Sequence, residues 1–126
     1  MLSNKSANFF NIKDLSQGIF RELTDGITTR VFPGDEAMVS IVTVAPNAEG
    51  KIHSHPQEQW GFLIEGSLQR IQDGKTFNAI KGDFWKTPGG ISHGVVGGPE
   101  GALIFDVFAP PREEYLKVGS GFGTGS

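Results

Sequence analysis

Apolar and polar positions alternate along most of this chain in short runs, and turn-forming pairs separate the runs. Met38-Val39-Ser40-Ile41-Val42-Thr43-Val44 is the clearest, with β-branched and apolar residues interleaved with small polar ones. That is the pattern of a strand with one buried face. Ile19–Leu23 leads to Asp25-Gly26, a hairpin signal, and Ile27–Phe32 follows. Pro33-Gly34-Asp35 turns the chain into the 38–44 run, and residues 46–50 read as a loop. Further strands are predicted over Gln59–Glu65, Leu68–Gln72, Thr76–Ile80, Phe84–Thr87, Ile91–Val96 and Ala102–Ala109. About ten strands with hairpin connections imply an all-β sandwich or barrel. Only Arg112–Lys117, entered through Pro110-Pro111, has the pattern of a short helix. The strand-rich region spans 19–118, after an arm over 1–18 and before a Gly/Ser tail over 119–126 expected to be flexible. The arm carries Phe9, Phe10, Ile12 and Leu15, which either cover their own barrel or pair with a second subunit.

Composition narrows the function classes. A length of 126 residues suits one domain with its own hydrophobic core. The absence of cysteine excludes disulfides, thiolate metal ligands and a cysteine nucleophile. A net charge of −3 without a Lys/Arg cluster offers no footprint for nucleic acid. Residues 1–6 lack the apolar core of a signal sequence, and no segment has transmembrane length, so a cytoplasmic protein is expected.

The chemistry is concentrated in two segments, His53-Ser54-His55-Pro56-Gln57-Glu58-Gln59 and Pro88-Gly89-Gly90-Ile91-Ser92-His93, which hold all three histidines of the chain. His53 and His55 are two apart, so on an extended strand both imidazoles point to one face. Neutral imidazoles are the commonest ligands for zinc, copper, iron and nickel. Three of them plus one oxygen donor make a mononuclear site with room for an exogenous ligand.

These segments resemble the paired motifs of the cupin superfamily. His53, His55, Gln59 and Gly66 follow the spacing of the first motif, with Gln59 where glutamate is usual and Gly50 displaced from the opening glycine. Gly82, Pro88, Gly90 and His93 follow the second, with Gly97 in place of its closing asparagine. The resemblance implies a single-domain cupin, a double-stranded β-helix or jelly-roll barrel.

Glu58 and Gln59 compete for the fourth ligand position. A carboxylate is the stronger ligand for a hard cation, which favours Glu58. Alternation favours Gln59: if it faces inward, so do Gly61, Leu63 and Glu65, while Glu58, Trp60 and Phe62 face outward. Spacing to His55 and Gly66 also puts Gln59 in the family's ligand position. A neutral ligand set of this kind leaves the metal's charge for an anionic, chelating ligand. Trp60, Phe62 and Ile64, away from the metal, are candidates for sheet packing or a subunit interface.

Asp106 and Phe108 share a face of the last long strand. Asp106 lies among Leu103, Ile104, Phe105 and Val107, where burial raises a carboxyl pKa unless a cation holds it ionised. Arg112, after the rigid Pro-Pro step, is placed to clamp a carboxylate. The alternative is that Asp106 pairs structurally with Arg112 or Arg30 and Phe108 is ordinary core.

The run from Asp106 to Leu116, after His-x-His-Pro-x-Glu-Gln-x-Gly, is similar to the KdgF-type uronate-linearising cupins of pectin and alginate breakdown. The resemblance implies a divalent metal held by His53, His55, Gln59 and His93, with Asp106, Phe108 and Arg112 serving the substrate. It implies conversion of 4,5-unsaturated monouronates to open-chain 4-deoxy-5-keto uronates. Arg112 would neutralise the carboxylate, Phe108 would wall the ring and Asp106 would move protons. Zinc, nickel, iron or manganese would serve. The expected partner is a small anionic sugar or carboxylate, and a homodimer is expected from the resemblance. The rivals are a cupin dioxygenase, lyase or isomerase acting on another small chelating acid, and a non-catalytic sugar- or metabolite-binding module.

Overall fold

The structure, a computed structural model, describes residues 8–116 and 119–122. Its strands are β1 (Ile19–Thr24), β2 (Ile27–Pro33), β3 (Met38–Val44), β4 (Glu49–His53), β5 (Glu58–Gln72), β6 (Lys75–Ile80), β7 (Phe84–Thr87), β8 (His93–Ala109) and β9 (Gly119–Ser120). One 3-10 turn, Glu113–Leu116, replaces the helix expected over Arg112–Lys117, whose last residue lies outside the described ones. Among the described residues no helix is long and apolar enough to cross a membrane.

The strands join in one sheet, ordered β6-β5-β8-β3-β2-β1-β9, with β4 on β8 and β7 on β5. All pairings are antiparallel except the short β1–β9 contact. Two long strands serve both halves of the barrel. The first half of β5 lies between β7 and the end of β8; its second half lies between β6 and the start of β8. Likewise β8 pairs with β4 near its start and with β3 near its end. The alternating pattern therefore predicted most strand positions but divided β5 and β8 into two strands each. It also missed β4, whose first residues were assigned to a loop.

The bend in β5 has a local cause. Register shifts fall between Leu63 and Glu65 and between Gly66 and Leu68. Gly66 has φ 81°, and a Cβ there would run into the carbonyl of Gly101 on β8. Only glycine combines that backbone conformation with that approach. The irregularity changes the inward phase from odd to even positions: Gln59, Gly61 and Leu63 are buried, then Leu68 and Arg70. Glu65, expected inward, is instead exposed and faces Lys81 at 3.6 Å.

Leu23, Ile27, Val42, Leu63 and Ile104 contribute to the apolar core, and Phe108 and Tyr115 continue it toward the polar cavity. Burial of this aliphatic and aromatic surface is the main favourable contribution to folding. The described part of the N-terminal arm lies on its own barrel. Arg30 donates to the carbonyls of Asp14 (2.9 Å) and Ile12 (2.6 Å), and Phe10 packs on Phe32 with centroids 4.8 Å apart. At the other end, Gly119–Phe122 also has partners. Arg21 donates to the carbonyls of Glu114, Ser120 and Gly121 at 2.7–2.9 Å, and the Gly121 amide donates to Glu22. Residues 123–126 of the expected tail lie outside the described ones.

Candidate metal centre

His53 ends β4 and His93 begins β8, and the two are register partners with ring centroids 4.6 Å apart. His55 lies just beyond β4 rather than on it, with centroids 5.9 Å from His53 and 4.8 Å from His93. The Pro-Gly-Gly turn fixes that position. The Gly90 amide donates to the His55 carbonyl at 2.8 Å, and a side chain at Gly89 would strike the carbonyl of Pro56.

All three rings are held in the same way. Nδ1 of His53 lies 2.9 Å from the Lys51 carbonyl, Nδ1 of His55 3.1 Å from that of Gln57, and Nδ1 of His93 2.9 Å from that of Ile91. Carbonyls only accept, so each Nδ1 carries the proton and each Nε2 keeps its lone pair. Backbone carbonyls in this role are what orient metal-ligating histidines. One ligand atom from each residue falls within 4.8 Å of the others, and Nε2 of His93 is buried without a partner.

Gln59 adds a second mark of a cation. Its Oε1 lies 3.0 Å from Nε2 of His55. With Nδ1 of His55 donating, that contact sets lone pair against lone pair. Its amide hydrogen-bonds Asp106, which aims the nitrogen there and the oxygen at the histidines. A cation accepting both lone pairs would resolve the conflict. The donor set fits a divalent ion. Glu58 faces the other way, its carboxylate accepting from the Trp60 indole at 2.8 Å.

Burial lowers the pKa of each imidazole, that of His55 to about 4 and that of His93 to about 3. The Arg112 and Arg70 cations add to the effect on His55 and His93 respectively. All three are thus neutral ligands at neutral pH.

Asp106 and Phe108 lie on β8 opposite Gly61 and Gln59. Phe108 meets the edge of the His55 ring at 5.4 Å. Burial raises the Asp106 pKa to about 6, against the opposing effects of Arg70 and the Gln59 amide. The cation that acts on it is therefore Arg70, rather than the Arg112 or Arg30 of the structural alternative. Arg70 donates to Thr87 at 2.8 Å and to Gln72 at 3.3 Å and lies over Trp85 at 5.5 Å. Sequence reading missed Arg70 because an unbroken alternation from Gln59 points it outward. Its signal was Gly66, the residue that resets the phase. Trp85 fills the space a side chain at Gly61 would need, and a Cβ there would also lie 2.8 Å from Asp106 Oδ1.

Arg112 is 1% exposed. Its guanidinium stacks over Tyr115 at 4.3 Å and Phe108 at 5.6 Å and donates from Nη2 to the carbonyl of Phe122. Among the described residues its Nε and Nη1 are buried without partners, as are Asp106 Oδ1 and Trp85 Nε1. Such groups are costly to bury unpaired. Asp106, Trp85, Arg112 and His93 line one cavity of about 40 Å³, together with Arg70 and Phe122. His53, Gln59, His93, Asp106, Phe108 and Arg112 thus line one cavity, with His55 beside it against His93 and Phe108.

The cupin domain family matches residues 40–108, more than half of the chain. The chain belongs to the cupin family. This cupin is 30% identical over 99 residues to the pectin degradation protein KdgF of Dickeya dadantii, covering 77% of this chain and 90% of that protein. It is also 30% identical over 89 residues to oxalate decarboxylase OxdC of Bacillus subtilis, covering 64% of this chain but only 23% of that enzyme. Among solved structures, KdgF from a Halomonas species superposes with a TM-score of 0.76 at 23% identity, covering 85% of this chain and 96% of that one. Bacillus subtilis oxalate decarboxylase superposes with a TM-score of 0.70 at 23% identity, covering 84% of this chain and 30% of that one. The chain is a small KdgF-like cupin whose three histidines can hold a metal ion.

Proposed function

We propose that this cupin is a metal-dependent enzyme that linearises 4,5-unsaturated monouronates to 4-deoxy-5-keto uronates. His53, His55, His93 and Gln59 hold one divalent ion, which would be zinc, nickel, iron or manganese. Asp106, Phe108 and Arg112 serve the sugar. The observation that carries this reading is the convergence of unpaired buried polar atoms on one cavity: His93 Nε2, Asp106 Oδ1 and two nitrogens of Arg112. The similarity to the pectin degradation protein supports it.

When bound, the metal supplies a fixed positive charge that polarises a chelating carboxylate and its neighbouring ring oxygen. Arg112, with Nε and Nη1 free, binds the same carboxylate from the opposite side. Phe108 presents its ring to the sugar. Asp106, with a pKa near 6, can both accept and return a proton at neutral pH. In the proposed reaction it takes the proton of the anomeric hydroxyl as the hemiacetal opens to an aldehyde. Cleavage of the C1–O5 bond leaves an enolate at C5, and Asp106 delivers the same proton to C4 as that enolate becomes a ketone. The change is an isomerisation, so no oxidant or added water is required.

Proton NMR of metal-loaded protein with unsaturated galacturonate- and guluronate-type monouronates tests the assignment. The ring alkene signal should vanish faster than in buffer, and a chelator should abolish the acceleration. Asp106→Asn should lose turnover by at least about 100-fold while retaining binding, since proton transfer supplies factors of that order. No acceleration with any of the four metals removes the uronate assignment.

The small volume of the cavity favours a second reading, in which the substrate is a much smaller chelating acid. Oxygen uptake or carbon dioxide release from such acids would support it. We further propose a homodimer formed through the outward face of β5–β7, where Phe77, Ile80 and Phe84 are more than half exposed beside Phe62.

A further inference from the structure

A cavity of about 40 Å³ holds roughly three water molecules, whereas ligand pockets commonly span roughly 300–1,000 Å³. A sugar acid does not fit the site as it stands. The side chain that limits it on one side comes from the end of the chain. Phe122 lies against His53 with ring centroids 4.7 Å apart, reaches toward Gly50, and lines the cavity. Its carbonyl accepts a hydrogen bond from Arg112 Nη2, while Nε and Nη1 have no partner among the described residues. A backbone oxygen thus takes one donor of that guanidinium, beside the Nε and Nη1 that face the cavity unpaired.

The attachments of the segment are few and mostly polar. β9 is two residues long, and the carbonyls of Ser120 and Gly121 are held by Arg21, which does not line the cavity. Gly121 has φ 84°, a conformation that glycine adopts without cost. The short β1–β9 pairing, the Gly121 amide bond to Glu22 and the contact of Phe122 with the edge of the core complete these attachments, and their release is a local opening that leaves the barrel strands paired.

We propose that Gly119–Phe122 is the specificity-determining element of this site: Phe122 covers His53 and its carbonyl engages Arg112, so the segment lifts to admit ligands larger than a small diacid. The inference rests on the histidine cluster as the ligand site and not on the uronate assignment.

Cobalt(II)-loaded protein, whose visible spectrum reports ligands entering the metal's coordination sphere, allows a test with two probes. Oxalate is close to the closed cavity in size, and citrate is far larger. Stopped-flow mixing should show citrate binding at least tenfold faster in Phe122→Ala and in Arg21→Gln than in the unaltered protein. It should be slower in Phe122→Trp, and oxalate rates should change less than twofold throughout. Equal citrate rates in all variants, an equal acceleration of both probes, or no citrate binding even to Phe122→Ala would overturn the proposal. Circular dichroism of Arg21→Gln checks its fold, and Phe122→Ala carries the test if that variant is unstable. Failure of the uronate assay alone would leave these spectral outcomes unaffected.

Discussion

Glu58 and Gln59 are neighbours, yet one faces solvent beside Trp60 and the other faces three imidazoles. If Gln59 completes the metal site, Gln59→Leu should lower zinc or nickel affinity at least tenfold by calorimetry. Glu58→Gln should leave it within twofold; the reverse pattern would assign Glu58. Asp106 carries a different prediction, for the metal-free protein. Its folded pKa of about 6 lies above the ordinary 3.8, so the folded state holds this proton more tightly than the unfolded chain does. Stability is therefore lost as pH rises from 3.8 through 6 and stays lower above that window. Asp106→Asn should raise the neutral-pH stability on the order of 3 kcal/mol, with the gain gone in acid below the ordinary carboxylate pKa. Thermal melts at both pH values check it. The clustering of the histidines with Gln59 was legible from residue type and spacing, and the placing of Asp106, Phe108 and Arg112 beside them from the resemblance of the 106–116 run. Arg70 was not, because one lone inward arginine looks like any outward one until the backbone irregularity before it is known.

The irregularity in β5 is a property of the element, and it can be tested there. Gly66→Ala would impose a left-handed conformation on a residue with a Cβ and push it into the Gly101 carbonyl. The left-handed backbone alone costs about 1–3 kcal/mol, and the clash adds to it. Denaturant unfolding should show a lower midpoint by at least that amount, and an unchanged midpoint would show that the bend does not depend on this glycine. Alternation made the buried and exposed faces of β3 legible, since no glycine interrupts that run. It divided β5 and β8 because a glycine inside a strand and a glycine ending one look alike in sequence. Only the partner across the sheet distinguishes them.

For the whole molecule, the β5–β7 face bears on assembly. Phe77, Ile80 and Phe84 are 53%, 67% and 60% exposed, and Phe84 stacks on Phe62 at 5.2 Å. If a second copy covers this face, sedimentation should find a dimer, and Phe84→Lys should shift it to monomer without changing metal content. A monomeric unaltered protein would rule the interface out. The all-β cupin architecture was legible from two motifs and a strand pattern. The placement of the chain's end was not, because Gly-Ser-Gly-Phe contains no periodicity. Its partners are Arg21 and Arg112, each at least ten positions away.

The three imidazoles take their orientation from main-chain carbonyls two residues away, not from neighbouring side chains. Tautomer choice is thereby independent of the residues that face a ligand. Mutation at Trp85, Phe108 or Arg112 can remodel what the cavity accepts while the donor atoms stay in place. A donor set held in this way can be inherited separately from the residues that face a ligand, so a barrel of this kind can change what it accepts without rebuilding its histidine cluster.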